Sequence, residues 1–465
     1  MASETGLASR KLGNRHVQFI AIGGAIGAGL FVGSGEVIQR AGPTVIVAYA
    51  ICGFIIFLIA RALGELAIVH PDVGGFSVYA SRYIGGWAGF ITGWSYWLNQ
   101  VLVVIAELTA VSYLVRFWTP ALPQWLPGMI ALGAVWLTNL ATARVFGEAE
   151  FWITLVKVMT IVVLILVGGA EILTHRPSHY GVADFANLWG NGGFFPRGLG
   201  GLLNVLPLIL FAYGGIEVIG VAAAEMDAPQ KLIPRAINGT VLRILLFYVG
   251  SLTIVLSLVP WTSIHAGQSP FVMAFGAIGV RGAAALVNFV VLTAVLSACN
   301  TGVFATSRVL RGLALAGQAP RALAAVNARG VPTPAIIASG CCMLGGVVLN
   351  YLMPEAVLSV VMRADAALML WIWLTIVWAH FNYRRGAAKL NQSSGFPAPL
   401  FPAANVLVAV FIGFVCLFNF VDLQSSLIFL LALGWFGALG LFYRRNEKRI
   451  RLAEHHAALA SRSHR

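Results

Sequence analysis

Two short strings in this chain combine clustered glycine with the means to bind a small zwitterion. The first reads Gly23-Gly24-Ala25-Ile26-Gly27-Ala28-Gly29-Leu30-Phe31 and the second Phe211-Ala212-Tyr213-Gly214-Gly215-Ile216-Glu217. Both fall inside long apolar segments. Glycine weakens a helix by about 1 kcal/mol relative to alanine, so each string is a place where a helix can unwind at little cost. Freed N–H groups at the start of a half-helix favour an anion such as a carboxylate. Freed carbonyls accept hydrogen bonds from an ammonium group. One string can therefore hold the carboxylate, and the other the amine, of an α-amino acid without any charged side chain. Close helix packing through small residues would explain the first string taken alone; the pairing of the two favours a site.

A handful of charged residues interrupts otherwise apolar runs: Glu107, Lys157, Glu217, Arg363 and Asp365. A charge at that depth in a membrane is costly and is a functional candidate by default. Lys157 either snorkels its long stem to the interface or titrates protons. Glu217, just past the second string, either hydrogen-bonds to freed backbone or takes part in substrate binding or proton coupling. Glu107 faces the first string or pairs internally. Arg363 and Asp365 form an external gate or are one another's partner. Aromatic residues crowd one segment: Trp87 suits an interfacial belt, Trp94 and Trp97 suit packing, and Tyr96 lies deeper, towards the site.

The elements that must position these residues are membrane helices. Of 465 residues, 59% are apolar and 10% charged, whereas a soluble domain carries roughly 45–50% apolar and 25% charged residues. Leu400–Val421, Leu423–Tyr443 and Ala283–Ser307 contain no charged residue, and each is long enough to cross a bilayer, which takes about 20 apolar residues. A soluble enzyme, a disordered chain and a secreted disulfide scaffold are all excluded. Five cysteines in apolar segments have no metal spacing and suit packing. The nine histidines are scattered, so neither a metal site nor a cofactor is expected, and no enzymatic chemistry.

Hydropathy places twelve spans at roughly 17–40, 43–69, 87–117, 124–143, 150–174, 198–224, 237–260, 283–307, 334–353, 356–381, 402–421 and 424–443. The polar segment 1–16 is no signal peptide. Counted by alternate loops, 23 of the 30 Lys and Arg fall on the side of the termini and 5 on the other, which puts both termini in the cytoplasm. The net charge of +13 is thus a topology signal, and no nucleic-acid partner is expected. The broken spans are the first and the sixth, so each opens a block of five, and an odd block length gives the two blocks opposite orientations. Interrupted segments at matching positions of inverted halves point to the central site of a transporter. The expected organisation is a cytoplasmic segment 1–16, a first repeat 17–174, a second repeat 198–381, two further spans within 402–443, and a basic tail 444–465 near anionic lipid.

Several motifs carry a resemblance. Asn14-Arg15-His16-Val17-Gln18 precedes the first glycine string; Arg61-Ala62-Leu63-Gly64-Glu65-Leu66 closes the second span; Ala106-Glu107-Leu108-Thr109-Ala110-Val111 lies in the third. Phe146-Gly147-Glu148-Ala149-Glu150-Phe151-Trp152 opens the fifth, and Ile233-Pro234-Arg235-Ala236-Ile237-Asn238 follows the sixth. Over residues 10–445 the chain resembles the bacterial amino acid permeases of the amino acid–polyamine–organocation superfamily, a group that includes proline-specific, aromatic, histidine, GABA and D-serine/D-alanine/glycine permeases. The resemblance implies an all-α, twelve-helix fold of five-plus-five inverted repeats (LeuT-like) with discontinuous helices 1 and 6 and two extra C-terminal helices. It implies substrate contacts at Ala25, Ile26, Ala28, Gly29, Phe211, Ala212, Gly214 and Glu217. Lys157 matches the span 5 lysine of proton-coupled relatives. A fixed cation there argues for protons over sodium and makes Lys157, with Glu107, the coupling candidate. Ala28 departs from the threonine of many relatives, and the Arg363/Asp365 pair, assigned as a gate, is not a familiar pattern in these permeases. The second string looks most like proline-specific permeases. The expectation is secondary active, proton-coupled uptake of a small neutral, proline-like amino acid across the bacterial inner membrane by alternating access. The alternatives are an amino acid or polyamine exchanger of the same fold and a non-transporting sensor. The expected partners are the amino acid, protons and membrane lipid, with no obligate protein partner.

Overall fold

The structure is a computed structural model that describes residues 27–70, 75–141, 146–215, 217, 228–327, 330–389 and 394–463. Those residues are almost entirely helical; the one sheet among them is a two-stranded hairpin pairing Pro177–Ser178 with Gly181–Val182. The helices, in chain order, are α1 Ser34–Ala41, α2 Val45–Val69, α3 Phe76–Tyr83, α4 Gly86–Arg116, α5 Trp125–Ala141, α6 Phe146–Leu173, α7 Gly198–Ala212, α8 Pro229–Arg243, α9 Ser251–Leu258, α10 Pro270–Ala277, α11 Ala283–Leu315, α12 Thr333–Leu352, α13 Val357–Lys389, α14 Ala403–Phe418 and α15 Leu423–Ser463. Among the described residues, eight helical runs are long and apolar enough to cross a membrane, and Trp125–Leu140, Gly198–Ala212 and Ala403–Phe418 are shorter apolar helices. The protein is an all-helical, multi-pass membrane protein.

The breaks between helices follow local chemistry. The run Gly29–Val69 folds back at Gly42, whose φ of 67° favours glycine, and a Cβ there would stand 2.5 Å from Pro196 Cγ. Pro207 sits inside α7 and removes one ladder hydrogen bond shortly before that helix ends. Wide π-type turns occupy Gly29–Gly33, just before α1, and Ile244–Gly250, between α8 and α9. Such turns are rare and concentrate at functional sites. Ser269 caps α10, whose first residue is Pro270. The basic tail continues α15 without interruption as far as Ser463.

Helix α4 is the hub. It packs most extensively on α11 and next on α13. The α4–α11 crossing is tight because Gly302 faces Val104, where an added Cβ would overlap the valine. The α13 span is the most enclosed of the long spans and α15 the least, so α13 and α4 form the interior and α15 lies outside. Trp97 donates to Ser339 Oγ of α12 at 3.1 Å and Trp94 to the Gln318 carbonyl at 3.1 Å, which confirms their structural part. Trp87 is exposed, as a belt residue should be. The cysteines are all free; Cys52 and Cys299 are buried, but Cys341 and Cys342 are exposed on α12 and do not pack into the core.

Candidate functional site

The two glycine strings meet. A Cβ added to Gly29 would lie 2.8 Å from Ala212 Cα and 3.0 Å from Phe211 Cδ1, so the start of the helical run that follows Gly27 rests on the end of α7. Ala25 and Ile26 lie outside the described residues. Ala28, Gly29, Phe211 and Ala212 are all buried, and Gly214 stands beside α13, its missing Cβ 3.8 Å from Met369 Cε.

Each break has its own carboxylate. The Ala28 N–H donates to both oxygens of Glu107, at 3.1 and 3.2 Å. Gly27 is bent, and the Leu30 and Phe31 N–H groups return to its carbonyl at 3.2 Å. Glu107 thus acts as an N-cap supplied by a different helix, and it faces the first string. This placement satisfies one of the orphan donors that every helix start leaves and puts a negative group where the helix dipole favours it. Gly27 is required for the approach, since a Cβ there would stand 2.5 Å from Glu107 Oε1. At the second break, α7 stops at Ala212, the Tyr213 and Gly214 N–H groups close a last turn on Leu210 and Phe211, and Gly215 turns out at φ 97°. The Gly215 N–H donates to both oxygens of the fully buried Glu217, at 3.0 and 3.1 Å. The Ala212 carbonyl accepts from the Tyr248 hydroxyl at 2.6 Å, and the Tyr213 hydroxyl donates to the Tyr49 carbonyl at 2.6 Å. The rings of Tyr49, Tyr213 and Tyr248 pack together.

Lys157 is 1% exposed and within electrostatic reach of Glu107. Its stem does not snorkel outward, so of the two sequence-based readings only an inward role fits. Tyr96 is buried and within electrostatic reach of Glu217.

Arg363 and Asp365 are not one another's partner. Residues two apart on a helix point to different faces. Arg363, 2% exposed, turns to the start of α15, where it donates to the Ser425 hydroxyl and meets Asp422 Oδ2 at 3.5 Å. Partial burial pushes the Asp422 carboxyl up, but the Ser425 N–H and hydroxyl, then Arg363 and Arg40, outweigh it and hold it below the usual carboxylate range. Asp365 turns instead to α4, where Asn99 Nδ2 donates to Oδ1 at 2.6 Å.

A further buried cluster went unassigned in the sequence. Glu65, fully buried near the end of α2, accepts from the Ser394 hydroxyl and the Ala398 N–H, each at 2.6 Å. His380 Nε2 lies 3.0 Å from its Oε2, and Arg384 Nε 3.4 Å from its Oε1. Asn405 Nδ2 approaches His380 Nδ1 at 3.0 Å, so Nε2 is the ring nitrogen left to donate to Glu65. This cluster ties α2, α13, α14 and the segment before α14 together. Asn99 and Tyr248 were also missed. A polar amide three residues after Tyr96 in an apolar run could have marked Asn99; nothing in the sequence marks Tyr248.

Among the described residues there is no group of three or more His, Cys, Asp or Glu that could hold a metal ion. What remains is a pair of helix ends in contact, each with a buried carboxyl group bonded to nearby backbone.

The sequence profile described as "Amino acid permease" matches residues 16–432. The chain belongs to the amino acid permease family. The aromatic amino acid transport protein of Escherichia coli (strain K12) is 42% identical over 447 residues, 96% of this chain and 97% of that protein. Its counterpart in Salmonella typhimurium (strain LT2) matches to the same extent. An uncharacterized transporter of Bacillus subtilis (strain 168) is 42% identical over 446 residues, 96% of each chain. This permease is therefore a transporter and not an enzyme.

Proposed function

We propose that this permease imports a neutral amino acid with a large, aromatic-type side chain, driven by protons, across a bacterial inner membrane. The observation that carries the reading is the contact between two helix ends, Gly29 at the start of the first described helical run against Phe211 and Ala212 at the end of α7. Unwound backbone is tolerated at membrane depth only where it is buried or lines a cavity. Glu107 and Tyr248 satisfy part of the freed backbone and hold the breaks open. The groups of Ala25, Ile26 and Gly29 serve the substrate carboxylate, the Ala28 N–H being taken by Glu107, and those of Phe211, Ala212 and Gly214 its amine, with Glu217 orienting the second break. Spans 1–5 and 6–10 are the inverted repeats of a twelve-span fold with both termini cytoplasmic. Access alternates as the two broken helices rock between faces. Lys157, enclosed beside Glu107, couples protonation to closure. The cluster of Arg363, Asp422 and Ser425 closes the outer face.

The proline-like substrate expected from the second string gives way here. Seven residues suggested it, whereas relatives matching 96% of the chain are named for aromatic amino acid transport. The test is uptake into proteoliposomes with an imposed pH gradient and a panel of competing amino acids. Accumulation of an aromatic amino acid that collapses with the gradient supports the reading. Counterflow without net accumulation makes the protein an exchanger, binding without uptake makes it a sensor, and either result overturns it.

A further inference from the structure

Asp365 is the buried charge left over once the two breaks and the outer cluster are described. It is fully buried, and so is Asn99, its partner on α4. Asn99 spends its Nδ2 on Asp365 Oδ1. That leaves two acceptors, Asp365 Oδ2 and Asn99 Oδ1, with no hydrogen-bond partner among the described residues. Buried acceptors are rarely left so, because each forfeits the hydrogen bonds that water would have supplied.

The helix face on which Asp365 stands tells where it points. Met362, Asp365 and Met369 follow one another at helical spacing and share one side of α13. A Cβ added to Gly33, at the end of the first break's wide turn, would lie 2.9 Å from Met362 Cε; one added to Gly214, in the second break, would lie 3.8 Å from Met369 Cε. Asp365 thus sits between the α13 residue that touches the first break and the one that touches the second. Glu217 of the second break is within its electrostatic reach. On the opposing wall Asn99 lies one turn from Tyr96, which also feels Glu217. The nearest cation on α13, Arg363, is committed to Asp422 and Ser425 on another face.

We propose that Asp365, held in place by Asn99, is the acceptor for a hydrogen-bond donor at the end of the substrate's side chain. The site then selects amino acids whose side chain ends in O–H or N–H over isosteres that lack it. This rests on the permease reading above for the location of the substrate, and it moves Asp365 from the gate to the side-chain pocket. A site built around a buried acceptor discriminates sharply, since the donorless analogue leaves that acceptor unpaired.

The test is equilibrium binding by titration calorimetry to the purified full-length permease in detergent, using neutral pairs that differ chiefly in the donor: tyrosine and phenylalanine, and tryptophan and 3-benzothienylalanine, in which sulfur replaces the indole N–H. The wild type should favour the donor in at least one pair by about tenfold or more. That ratio should fall to near unity in Asp365→Leu and return in Asp365→Glu, which keeps the carboxylate. A wild-type ratio near unity in every pair overturns the proposal, whether or not either variant folds. So does a ratio that survives in Asp365→Leu. Uptake of the same pairs into proteoliposomes separates the two readings. Donor preference in binding without any uptake sinks the importer and leaves Asp365 as the acceptor. Proton-driven uptake with no donor preference does the reverse.

Discussion

Gly29→Ala probes the contact on which the site depends. The added methyl would stand 2.8 Å from Ala212 Cα, 3.0 Å from Phe211 Cδ1 and 3.2 Å from Ala212 Cβ. Carbon atoms rest at about 3.5–4.0 Å, so the neighbours must retreat by roughly half an ångström or more. Two of the three obstacles belong to Ala212, which has no rotamer to offer and whose carbonyl is tied to the Tyr248 hydroxyl at 2.6 Å. The strain therefore falls on the backbone of the second break. Overpacking of this kind costs about 1–3 kcal/mol. If it falls on the substrate-bound arrangement, affinity drops by about 5- to 150-fold, at tenfold per 1.4 kcal/mol. Gly133→Ala in α5 and Gly345→Ala in α12 are the controls, because a Cβ at either meets nothing within 4 Å. Both should bind normally. The assay is substrate affinity by calorimetry, with the unfolding temperature in detergent measured in parallel. A Gly29→Ala protein matching the controls in both would show that the two breaks do not close on one another there.

Lys157→Ala should abolish accumulation up a pH gradient in proteoliposomes while substrate still binds; undiminished accumulation would remove Lys157 from the coupling. Glu65→Gln keeps the volume but weakens the bonds from His380, Ser394 and Ala398, and hydrogen bonds to a charged group contribute about 1.5–3 kcal/mol each. Its unfolding temperature should fall and the segment from Ser394 to Ala398 should become sensitive to limited proteolysis; an unchanged digest would refute the tie. Asp422 has a lowered folded pKa, so its contribution is present above the unfolded value of about 3.9 and is lost as the pH falls through the lower folded value. Unfolding temperature followed into acid should drop less steeply in Asp422→Asn than in the wild type; parallel curves would show that the Ser425 bonds and the Arg363 contact together add nothing.

The membrane class and the places where a helix is weak were legible because their signals are local. Uncharged runs such as Leu423–Tyr443 can do nothing but cross lipid, and four glycines between Gly23 and Gly29 weaken a helix wherever it lies. Glu107 could be flagged from its cost in an apolar run, but not its partner: the Ala28 N–H is 79 residues away in sequence. The same limit misled the reading of Arg363 and Asp365. Two apart in sequence, they suggested a pair; helical geometry sends one to α15 and the other to α4. The choice of substrate was not legible for a related cause, since a seven-residue string says little about which distant side chains meet a substrate.

What the amino acids determined unaided was the solvent they require and the places where regular helix is weak, because hydropathy and backbone propensity belong to each stretch of chain by itself. Which donor each buried carboxylate receives, and that Gly29 rests on Ala212, was decided only when α4, α7 and α13 packed together, since hydrogen bonds and van der Waals contact act over a few ångströms and take no account of distance along the chain.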